Sequence, residues 1–346
     1  MKNIFKKIVD KNNKQIFLIC EISGNHLNSF HYAKKLILET IKQKVDLVKF
    51  QVYRPDTLTI DCDAKDFKIK NNNWSKHKSL FKLFEKSHTP WIWIVKLTKI
   101  LNAKKINWFA SAFDETSVDF LEKLKCKAYK IASPEITDTN LIEYIAKKNK
   151  PIIFSTGMSE KKDIDLAIKI VRKYHKKYAL LKCVSEYPAD YSDLNLSSIS
   201  TLKKKYNCAV GFSDHTVDEL ASITSVMYGA QIVEKHFKLD KDMVSIDSHF
   251  STPISNYGKI KKNLNSVHKC IGKKNNIFNL SLANKQSRRS LYINCDVKKD
   301  ETITFKNIKS VRPGYGLHPK YLKNIVGKKF KKNLTKGRPL RFKDIY

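Results

Sequence analysis

The chain has 346 residues, a hydrophobic content of 42% and a formal net charge of +34. This length accommodates one large domain of about 250 residues with a small one beside it, and the apolar content excludes global disorder. No apolar run reaches the ~18–20 residues that span a bilayer, and residues 1–15 are too polar for a signal peptide. These features predict a soluble, cytoplasmic protein.

The seven cysteines are widely spaced and include no CxxC pair, which predicts reduced structural thiols rather than a disulfide framework or a zinc knuckle. The positive charge is compatible with nucleic-acid binding. However, only seven of the 67 basic residues are arginine, whose planar fork recognises phosphates and bases through paired hydrogen bonds. Because the lysines are spread over every segment, a solvated cationic surface is favoured over a specific nucleic-acid site.

Eight short apolar runs recur along the first two thirds of the chain. They predict strands at 16–20, 47–50, 108–110, 128–131, 152–154, 179–181, 209–212 and 232–233. Between most of them lie patterns with a helical period, including those at 30–44, 117–124 and 162–174. Alternating strands and helices indicate parallel βα units, and eight such units predict an α/β fold of the (β/α)8 TIM-barrel type.

Polar residues stand at the end of each predicted strand. In a barrel the carboxyl ends of all eight strands meet on one face, where active sites lie. Lysines and serines at these ends suit an anion such as a phosphate or a carboxylate, although each serine alone could also serve a turn or a helix cap. The candidates are Lys49, Ser111, Lys130, Ser133, Ser155, Ser185 and Ser213, with Lys182 as a further lysine.

Two histidines follow the last two predicted strands. His215 comes after the seventh, and His236 after the eighth, in the stretch QIVEKHF at 231–237. Imidazoles on neighbouring strand ends can share one metal ion, and two nitrogen ligands with open positions favour Mn²⁺, Co²⁺, Fe²⁺ or Zn²⁺ over Ca²⁺. The alternative for a single histidine is a hydrogen-bonded core residue. The carboxylates expected to orient a hydroxyl or move a proton are Glu21, Glu135 and Asp247.

The pattern changes near residue 286, where short strands and turns replace the βα units. Gly314 and Gly316 indicate a tight bend after Arg312. The sequence therefore predicts two domains, a barrel over 1–284 and a small β-rich domain over 285–346. The small domain would be marginal alone and is expected to pack on its own barrel or on a second subunit.

Nine motifs resemble, in order, those of the nonulosonic (sialic-type) acid synthases. They are EISGNH at 21–26, KFQ at 49–51, FDE at 113–115, KIASPE at 130–135, STGM at 155–158, EYP at 186–188, SDHT at 213–216, EKHF at 234–237 and RPGYGL at 312–317. The last of these resembles the C-terminal SAF (antifreeze-like, β-clip) domain of that family. The resemblance covers nearly the whole chain.

This resemblance implies a transferase that condenses phosphoenolpyruvate with an amino-sugar aldehyde and water and releases phosphate by C–O cleavage. It assigns phosphoenolpyruvate to the seven lysines and serines named above, without Lys182. It assigns a divalent metal, Mn²⁺ or Mg²⁺ with Co²⁺ as a further candidate, to the catalytic pair His215 and His236. Glu135 would handle the proton of the attacking water. The sugar would be held by Glu21, Gln51, Tyr187 and Asp247, with Arg312 reaching in from the SAF domain of the partner in a domain-swapped homodimer.

Stretches that flank the motifs resemble the branch of the family that uses 2,4-diacetamido-2,4,6-trideoxy-L-altrose. They lie at 53–63, 88–93, 132–138 and 312–322. The alternative is a sibling synthase acting on N-acetylmannosamine or on the legionaminate precursor, because Ser185, Ser245 and Ile246 differ from the residues usual in the family. A non-enzymatic cationic barrel that binds nucleic acid or glycan is a remote third hypothesis, since a binder has no need of the histidine pair together with the lysines and serines.

Overall fold

Eight parallel strands close into a barrel in the first of the two units into which the chain divides, Met1–Ile271 and Gly272–Tyr346. The computed structural model describes residues 4–70, 73–272 and 280–346. The predicted domain boundary after residue 284 lies within the second unit. Among the described residues, no helix combines the length and the apolar character that crossing a membrane would require.

The barrel strands confirm the predicted TIM-barrel fold. They are β1 Phe17–Glu21, β2 Leu47–Val52, β3 Asn107–Ala112, β4 Tyr129–Ile131, β5 Ile152–Ser155, β6 Tyr178–Cys183, β7 Ala209–Asp214 and β8 Ile232–Lys238. Each strand pairs in parallel with the next, and β8 pairs with β1 to close the barrel. A two-residue strand, β9 Thr252–Pro253, extends the pairing at the end of β8.

Helices surround the barrel and follow the predicted alternation. They are α1 Ile4–Ile8, α2 Phe30–Lys42, α3 Pro55–Leu58, α4 Leu80–Ser87, α5 Trp91–Ala103, α6 Glu115–Lys123, α7 Thr139–Lys147, α8 Lys161–Tyr174, α9 Ser198–Tyr206, α10 Leu220–Ser225 and α11 Tyr257–Cys270. The three predicted helices correspond to α2, α6 and α8. Asp114 caps α6, because its carboxylate accepts the Ser117 backbone N–H at 3.0 Å. Asp114, a polar residue that follows a strand, thus acts as a helix cap.

Strand β8 is longer than the sequence pattern predicts. The prediction ends the strand at Val233 because three ionisable residues follow and unpaired charges are costly to bury. The structure instead continues the strand to Lys238 and buries Glu234, Lys235 and His236. Successive side chains of a strand point to opposite faces. Glu234 and His236 accordingly line the barrel cavity, while Lys235 lies on the outer face of the strand.

Lys235 forms a fully buried ion pair with Asp214 on the neighbouring strand β7. Its Nζ lies 3.0 Å from Asp214 Oδ2 and donates to the carbonyl oxygen of Thr216 at 2.9 Å. Asp214 also accepts the backbone N–H and the hydroxyl of Thr216, both at 2.8 Å, and the hydroxyl of Ser222. A buried pair is tolerated when further hydrogen bonds satisfy its atoms, and these bonds fasten the end of β7 to β8.

The last barrel helix, α11, is bonded to the amino-terminal ends of the first two strands. The Tyr257 hydroxyl donates to the Leu18 carbonyl oxygen and accepts the Asp46 backbone N–H, both at 2.8 Å. Lys261 donates to the Ile16 carbonyl oxygen and forms an ion pair with Asp46. These contacts hold the end of the barrel unit against its beginning.

The second unit is a small β-rich fold with its own core. Strands β10 Ser290–Ile293 and β11 Ile308–Val311 pair antiparallel, and the short helices are α12 Leu282–Gln286 and α13 Leu322–Ile325. Its fully buried residues include Leu291, Ile303, Phe330 and Leu340. At the predicted bend, a Cβ on Gly314 or Gly316 would collide with a backbone carbonyl oxygen, so close packing requires both glycines.

Candidate active site

A cavity of about 460 Å³ lies at the carboxyl ends of the barrel strands, within the usual range of ligand pockets, about 300–1,000 Å³. The predicted site residues that line it are Lys49, Gln51, Ser111, Lys130, Ser133, Ser155, Tyr187, Ser213, His215, His236 and Asp247. Glu21, Glu135 and Ser185 are not among the lining residues, and Arg312 belongs to the second unit. Most of the predicted site residues therefore share one cavity.

Lys49 is held between two buried glutamates. Its ammonium nitrogen lies 2.8 Å from Glu21 and 2.8 Å from Glu234, and no side chain of the three is more than 4% exposed. Burial disfavours the ammonium, but the two carboxylates outweigh it and raise the pKa of Lys49. Burial raises the pKa of Glu21 to about 7, whereas Lys49 and Lys130 overcome burial and lower the pKa of Glu234. The charge of Lys49 is therefore largely balanced within the protein.

The cavity floor is formed by polar side chains at the strand ends, namely Lys49, Ser111, Lys130, Ser133, Ser155, Ser213, Glu234, His215 and His236. Of its two lysines, Lys130 has no ion-pair partner in the described part of the chain. It donates to the Ser155 hydroxyl at 2.6 Å and to the Ile131 carbonyl oxygen at 3.0 Å. Burial lowers the pKa of Lys130 to about 8, so the side chain still carries its charge at neutral pH. A buried cation whose direct contacts are a hydroxyl and a carbonyl oxygen attracts an anionic ligand.

Gly157, which follows β5, leaves room for three small side chains to converge. A Cβ at this position would lie 3.0 Å from Ser133 Oγ and 3.2 Å from Cys183 Sγ, and it would collide with Ser185 Oγ. The Gly157 backbone N–H donates to Ser133 Oγ at 3.0 Å. The glycine of the STGM motif thus permits the close approach of these groups, which a Cβ would displace. Ser185 lies at this convergence even though it does not line the cavity.

His215 and His236 lie side by side, with ring centroids 5.4 Å apart. His215 Nδ1 is 2.7 Å from the Val184 carbonyl oxygen, a contact that orients the ring and leaves Nε2 free to coordinate. His236 Nδ1 is buried and has no hydrogen-bond partner among the described residues. Burial lowers the pKa of His236, and His215 and Lys49 act in the same direction, which keeps the ring neutral.

Two imidazoles with open nitrogen atoms fit a divalent metal ion. Burial lowers the pKa of His215, but Cys183 outweighs burial and raises it, so a metal would compete with a proton at that ring. The described residues contain no group of three or more histidine, cysteine or acidic side chains arranged to hold one. A metal at His215 and His236 would therefore take its remaining ligands from substrate or water.

Asp247 lies in the loop after β8 and is already hydrogen-bonded through one oxygen. Oδ2 accepts the Ser23 hydroxyl and the Gly24 backbone N–H, the latter at 3.1 Å. Gln51 donates to the same Ser23 hydroxyl at 3.2 Å. The Tyr187 ring packs with its centroid 4.4 Å from that of the His215 ring. This side of the cavity offers carboxylate, amide and phenol groups to a polyhydroxylated ligand.

Glu135 lies in the 3-10 turn Pro134–Thr137 that follows β4. Its neighbours Ser133 and Pro134 line the cavity, but Glu135 does not. Its Oε2 is buried without a hydrogen-bond partner in the described residues, and burial raises the pKa of Glu135 to about 7. A carboxylate with this pKa can exchange a proton near neutral pH, which suits a general base.

Some cavity residues were not predicted from the sequence. Glu234 accepts hydrogen bonds from Lys49 at 2.8 Å and from Ser213 at 3.2 Å. Cys183 lines the cavity, while the neighbouring Lys182, which was expected there, does not. Strict alternation along β6 could have shown that only one of these two neighbours faces the cavity, because adjacent side chains of a strand face opposite sides. Apolar lining residues that no periodic pattern indicated include Tyr53, Ile69, Leu80, Leu83, Phe84 and Ile246.

Comparisons with known proteins agree with the predicted resemblance. The chain is 37% identical over 334 residues to the pseudaminic acid synthase of Campylobacter jejuni, covering 96% of this chain and 97% of that protein. It is 32% identical over 338 residues to the N,N'-diacetyllegionaminic acid synthase of Legionella pneumophila, covering 95% and 94%. The crystal structure of N-acetylneuraminic acid synthetase from Leptospira borgpetersenii matches with a TM-score of 0.69 and 27% identity, over 78% of this chain and 88% of that one.

The family models also confirm the predicted order of barrel and SAF domain. The SAF domain model matches residues 288–345. The model of the NeuB family matches residues 36–276, well over half of the chain, and the chain therefore belongs to the NeuB family.

Proposed function

We propose that this enzyme is a transferase that condenses phosphoenolpyruvate with 2,4-diacetamido-2,4,6-trideoxy-L-altrose and water to give pseudaminic acid and phosphate. The observation that carries the proposal is the cavity floor, where an unpaired lysine, converging serines and a histidine pair meet at one barrel mouth. The similarity to pseudaminic acid synthase, which exceeds that to the legionaminic acid synthase, favours the altrose derivative. N-acetylneuraminate or legionaminate synthesis is the alternative.

Lys130 and the hydroxyls around it supply the donors for the anionic groups of phosphoenolpyruvate. Lys130 brings the charge, and Ser133 and Ser155 bring hydroxyls that can turn toward a phosphate or a carboxylate. Lys49 donates weakly to Ser111, with 3.4 Å between Nζ and Oγ. Because two glutamates already balance the charge of Lys49, we assign this lysine two roles. It orients the neighbouring hydroxyl groups, and it contacts the ligand.

His215 and His236 would hold the divalent metal, Mn²⁺, Mg²⁺ or Co²⁺, which when bound supplies Lewis acidity toward the aldehyde carbonyl. On the sugar side, Asp247 and Tyr187 would accept and donate hydrogen bonds to hydroxyl and acetamido groups, and Gln51 would hold the same face. Glu21 would act through its ion pair with Lys49. These residues orient the aldehyde carbon toward the methylene carbon of phosphoenolpyruvate.

Proton handling falls to Glu135 in this scheme. A bond forms between the phosphoenolpyruvate methylene carbon and the aldehyde carbon, whose oxygen becomes a hydroxyl. Water then adds to the former enol carbon, and Glu135 takes one of its protons and passes it to the former aldehyde oxygen. Phosphate leaves with its bridging oxygen as the C–O bond breaks, and the hydroxyl left on that carbon loses its proton to the departing phosphate as the keto group forms. The pKa of Glu135, raised to about 7 by burial, lets the side chain alternate between acid and base at neutral pH.

We place the enzyme in the cytoplasm as a domain-swapped homodimer in which Arg312 of one copy completes the sugar site of the other. Mixing inactive Arg312→Ala and inactive His236→Ala proteins tests this arrangement. If the arginine acts between copies, a mixed dimer contains one intact site and regains activity. If Arg312 acts within its own chain, mixing restores nothing, and the swapped dimer is rejected.

The reaction itself is tested by phosphate release from phosphoenolpyruvate with Mn²⁺, with each of the three amino sugars offered separately and His236→Ala as the control. Release with the altrose derivative that is lost in the variant supports the proposal. Release only with N-acetylmannosamine or the legionaminate precursor keeps the reaction and replaces the sugar. No release together with strongly salt-dependent nucleic-acid binding favours the non-enzymatic alternative.

A further inference from the structure

Away from the polar floor, the cavity lining includes a group of apolar side chains, beside which Asp66, Lys68, Lys70, Trp74 and Ser87 also line the cavity. We call this group the apolar wall and define it as Tyr53, Ile69, Leu80, Leu83, Phe84 and Ile246. Three of these residues, Leu80, Leu83 and Phe84, are spaced three and four positions apart on α4, so they share one face of that helix. Leu80, Leu83 and Phe84 therefore present an apolar face of α4 to a ligand that extends from the floor.

The wall is fixed to the barrel rather than loosely attached. The Ser79 hydroxyl accepts the Lys82 backbone N–H at 3.3 Å and so caps the start of α4. At the other end of α4, the hydroxyls of Tyr53 and Ser87 lie 2.8 Å apart. The Tyr53 and Phe84 rings also pack edge to face, with centroids 5.9 Å apart. The only polar atom of the wall, the Tyr53 hydroxyl, is thereby engaged within the protein.

Ile246 brings the apolar wall next to the sugar-binding carboxylate. A Cβ at Gly24 would lie 3.3 Å from Asp247 Oδ2, 3.3 Å from Ser87 Cβ and 3.5 Å from Ile246 Cβ, so the three groups surround one point. The Trp74 indole N–H donates to the Ile246 carbonyl oxygen at 3.0 Å. A sugar whose hydroxyl is bound by Asp247 thus places its neighbouring carbons against the wall.

We propose that the apolar wall recognises the methyl groups at the far end of the sugar aldehyde, those of C6 and of the 4-acetamido group. It thereby selects 6-deoxy, diacetamido sugars over N-acetylmannosamine. This inference rests on the proposed function, because the aldehyde carbon must lie at the histidine pair for the opposite end of the sugar to reach the wall. N-acetylmannosamine carries hydroxyls at both positions, and hydroxyls buried against the wall would lose their hydrogen bonds with water.

Two wall variants test the inference without touching the polar floor. Ile246→Thr and Ile69→Thr each replace apolar surface with a hydroxyl at partly buried positions, where we expect the fold to be kept. Ile92→Thr is the matched control, since Ile92 is 59% exposed on α5 and lies outside the cavity lining. The measurement is kcat/KM for the altrose derivative and for N-acetylmannosamine, with phosphoenolpyruvate and Mn²⁺ saturating and a thermal melt of each protein.

We define the selectivity as kcat/KM for the altrose derivative divided by kcat/KM for N-acetylmannosamine. This ratio is expected to fall about tenfold in each wall variant. A tenfold change is the lower end of the effect of one methyl or methylene group in an apolar pocket. The control should keep the wild-type ratio, and the KM for phosphoenolpyruvate should not change. An unchanged ratio in both wall variants, or an equal loss with both sugars, overturns the inference while the proposed function stands. A wild-type enzyme that releases no phosphate with any sugar overturns the proposed function and this inference with it.

Discussion

Replacing Lys235 with methionine tests whether the buried pair with Asp214 holds the two histidine-bearing strands together. Methionine keeps the apolar stem but removes the ammonium, which lies 3.0 Å from the carboxylate with neither side chain exposed. Removing one partner of a buried pair costs about 3–5 kcal/mol. Asp214 retains three neutral donors from Thr216 and Ser222, so we expect the lower end, about 3 kcal/mol.

The loss can be followed in the barrel alone, because all four tryptophans lie in the first unit. Denaturant unfolding monitored by tryptophan fluorescence should show the reduced free energy of unfolding. In a thermal scan the corresponding drop in Tm is about 6–12 °C for a domain of this size. Since His215 and His236 directly follow the paired residues in sequence, Mn²⁺ affinity measured by calorimetry should also fall about 10–100-fold.

Two further variants decide whether charge pairing is the cause. Adding Asp214→Asn to Lys235→Met removes the stranded carboxylate and should recover a large part of the lost stability. Lys162→Met, at a surface ion pair whose lysine is 77% exposed, should cost under about 1 kcal/mol. If Lys235→Met costs no more than this control, or if the double variant is as unstable as the sum of the single ones, the reasoning is refuted.

Three other predictions concern residues in the cavity floor or next to it. The KM for phosphoenolpyruvate should rise as pH increases through about 8, the pKa to which burial lowers Lys130, because the neutral amine no longer attracts the anion; a flat profile over that range contradicts this assignment. Glu135→Gln should lower kcat about 10²–10⁴-fold with little change in the KM for phosphoenolpyruvate, and an unaltered kcat would remove Glu135 from the mechanism. Gly157→Ala should raise the KM for phosphoenolpyruvate by about tenfold or more, since its Cβ would displace Ser133 and Ser185. In contrast, Gly258→Ala should leave catalysis unchanged, because the nearest atom to its Cβ is a side-chain oxygen at 3.7 Å.

The barrel could be predicted from the sequence because its strands are apolar runs separated by helical patterns. The full length of β8 could not, since three ionisable residues in a row predict that the strand stops at Val233 until their partners are known. Those partners lie on other strands: Lys49 is 185 positions from Glu234. Pairing between residues so distant in sequence is a property of the closed barrel, and local patterns do not carry it.

The sequence predicts the residues of the candidate site that lie at the ends of barrel strands. Lysine, serine and histidine at those ends were identified, and the structure places most of them around one cavity. The charge state of Lys49 was not foreseen, because it depends on Glu21 and Glu234 together. The apolar wall was also missed, since α4 and Ile246 come from connecting segments whose contribution to a cavity depends on how the chain folds back.

The attachment of α11 to β1 and β2 also constrains how the protein is made. Tyr257 and Asp46 are 211 positions apart, and Lys261 and Ile16 are 245 apart. On the ribosome, the first strands therefore emerge long before the helix that secures them, and they must stay unaggregated through most of translation. Contacts of such long sequence separation slow folding and expose strand edges meanwhile. We expect a chain that stops before Tyr257 to remain dependent on chaperones, whereas one that ends after α11 can close its barrel.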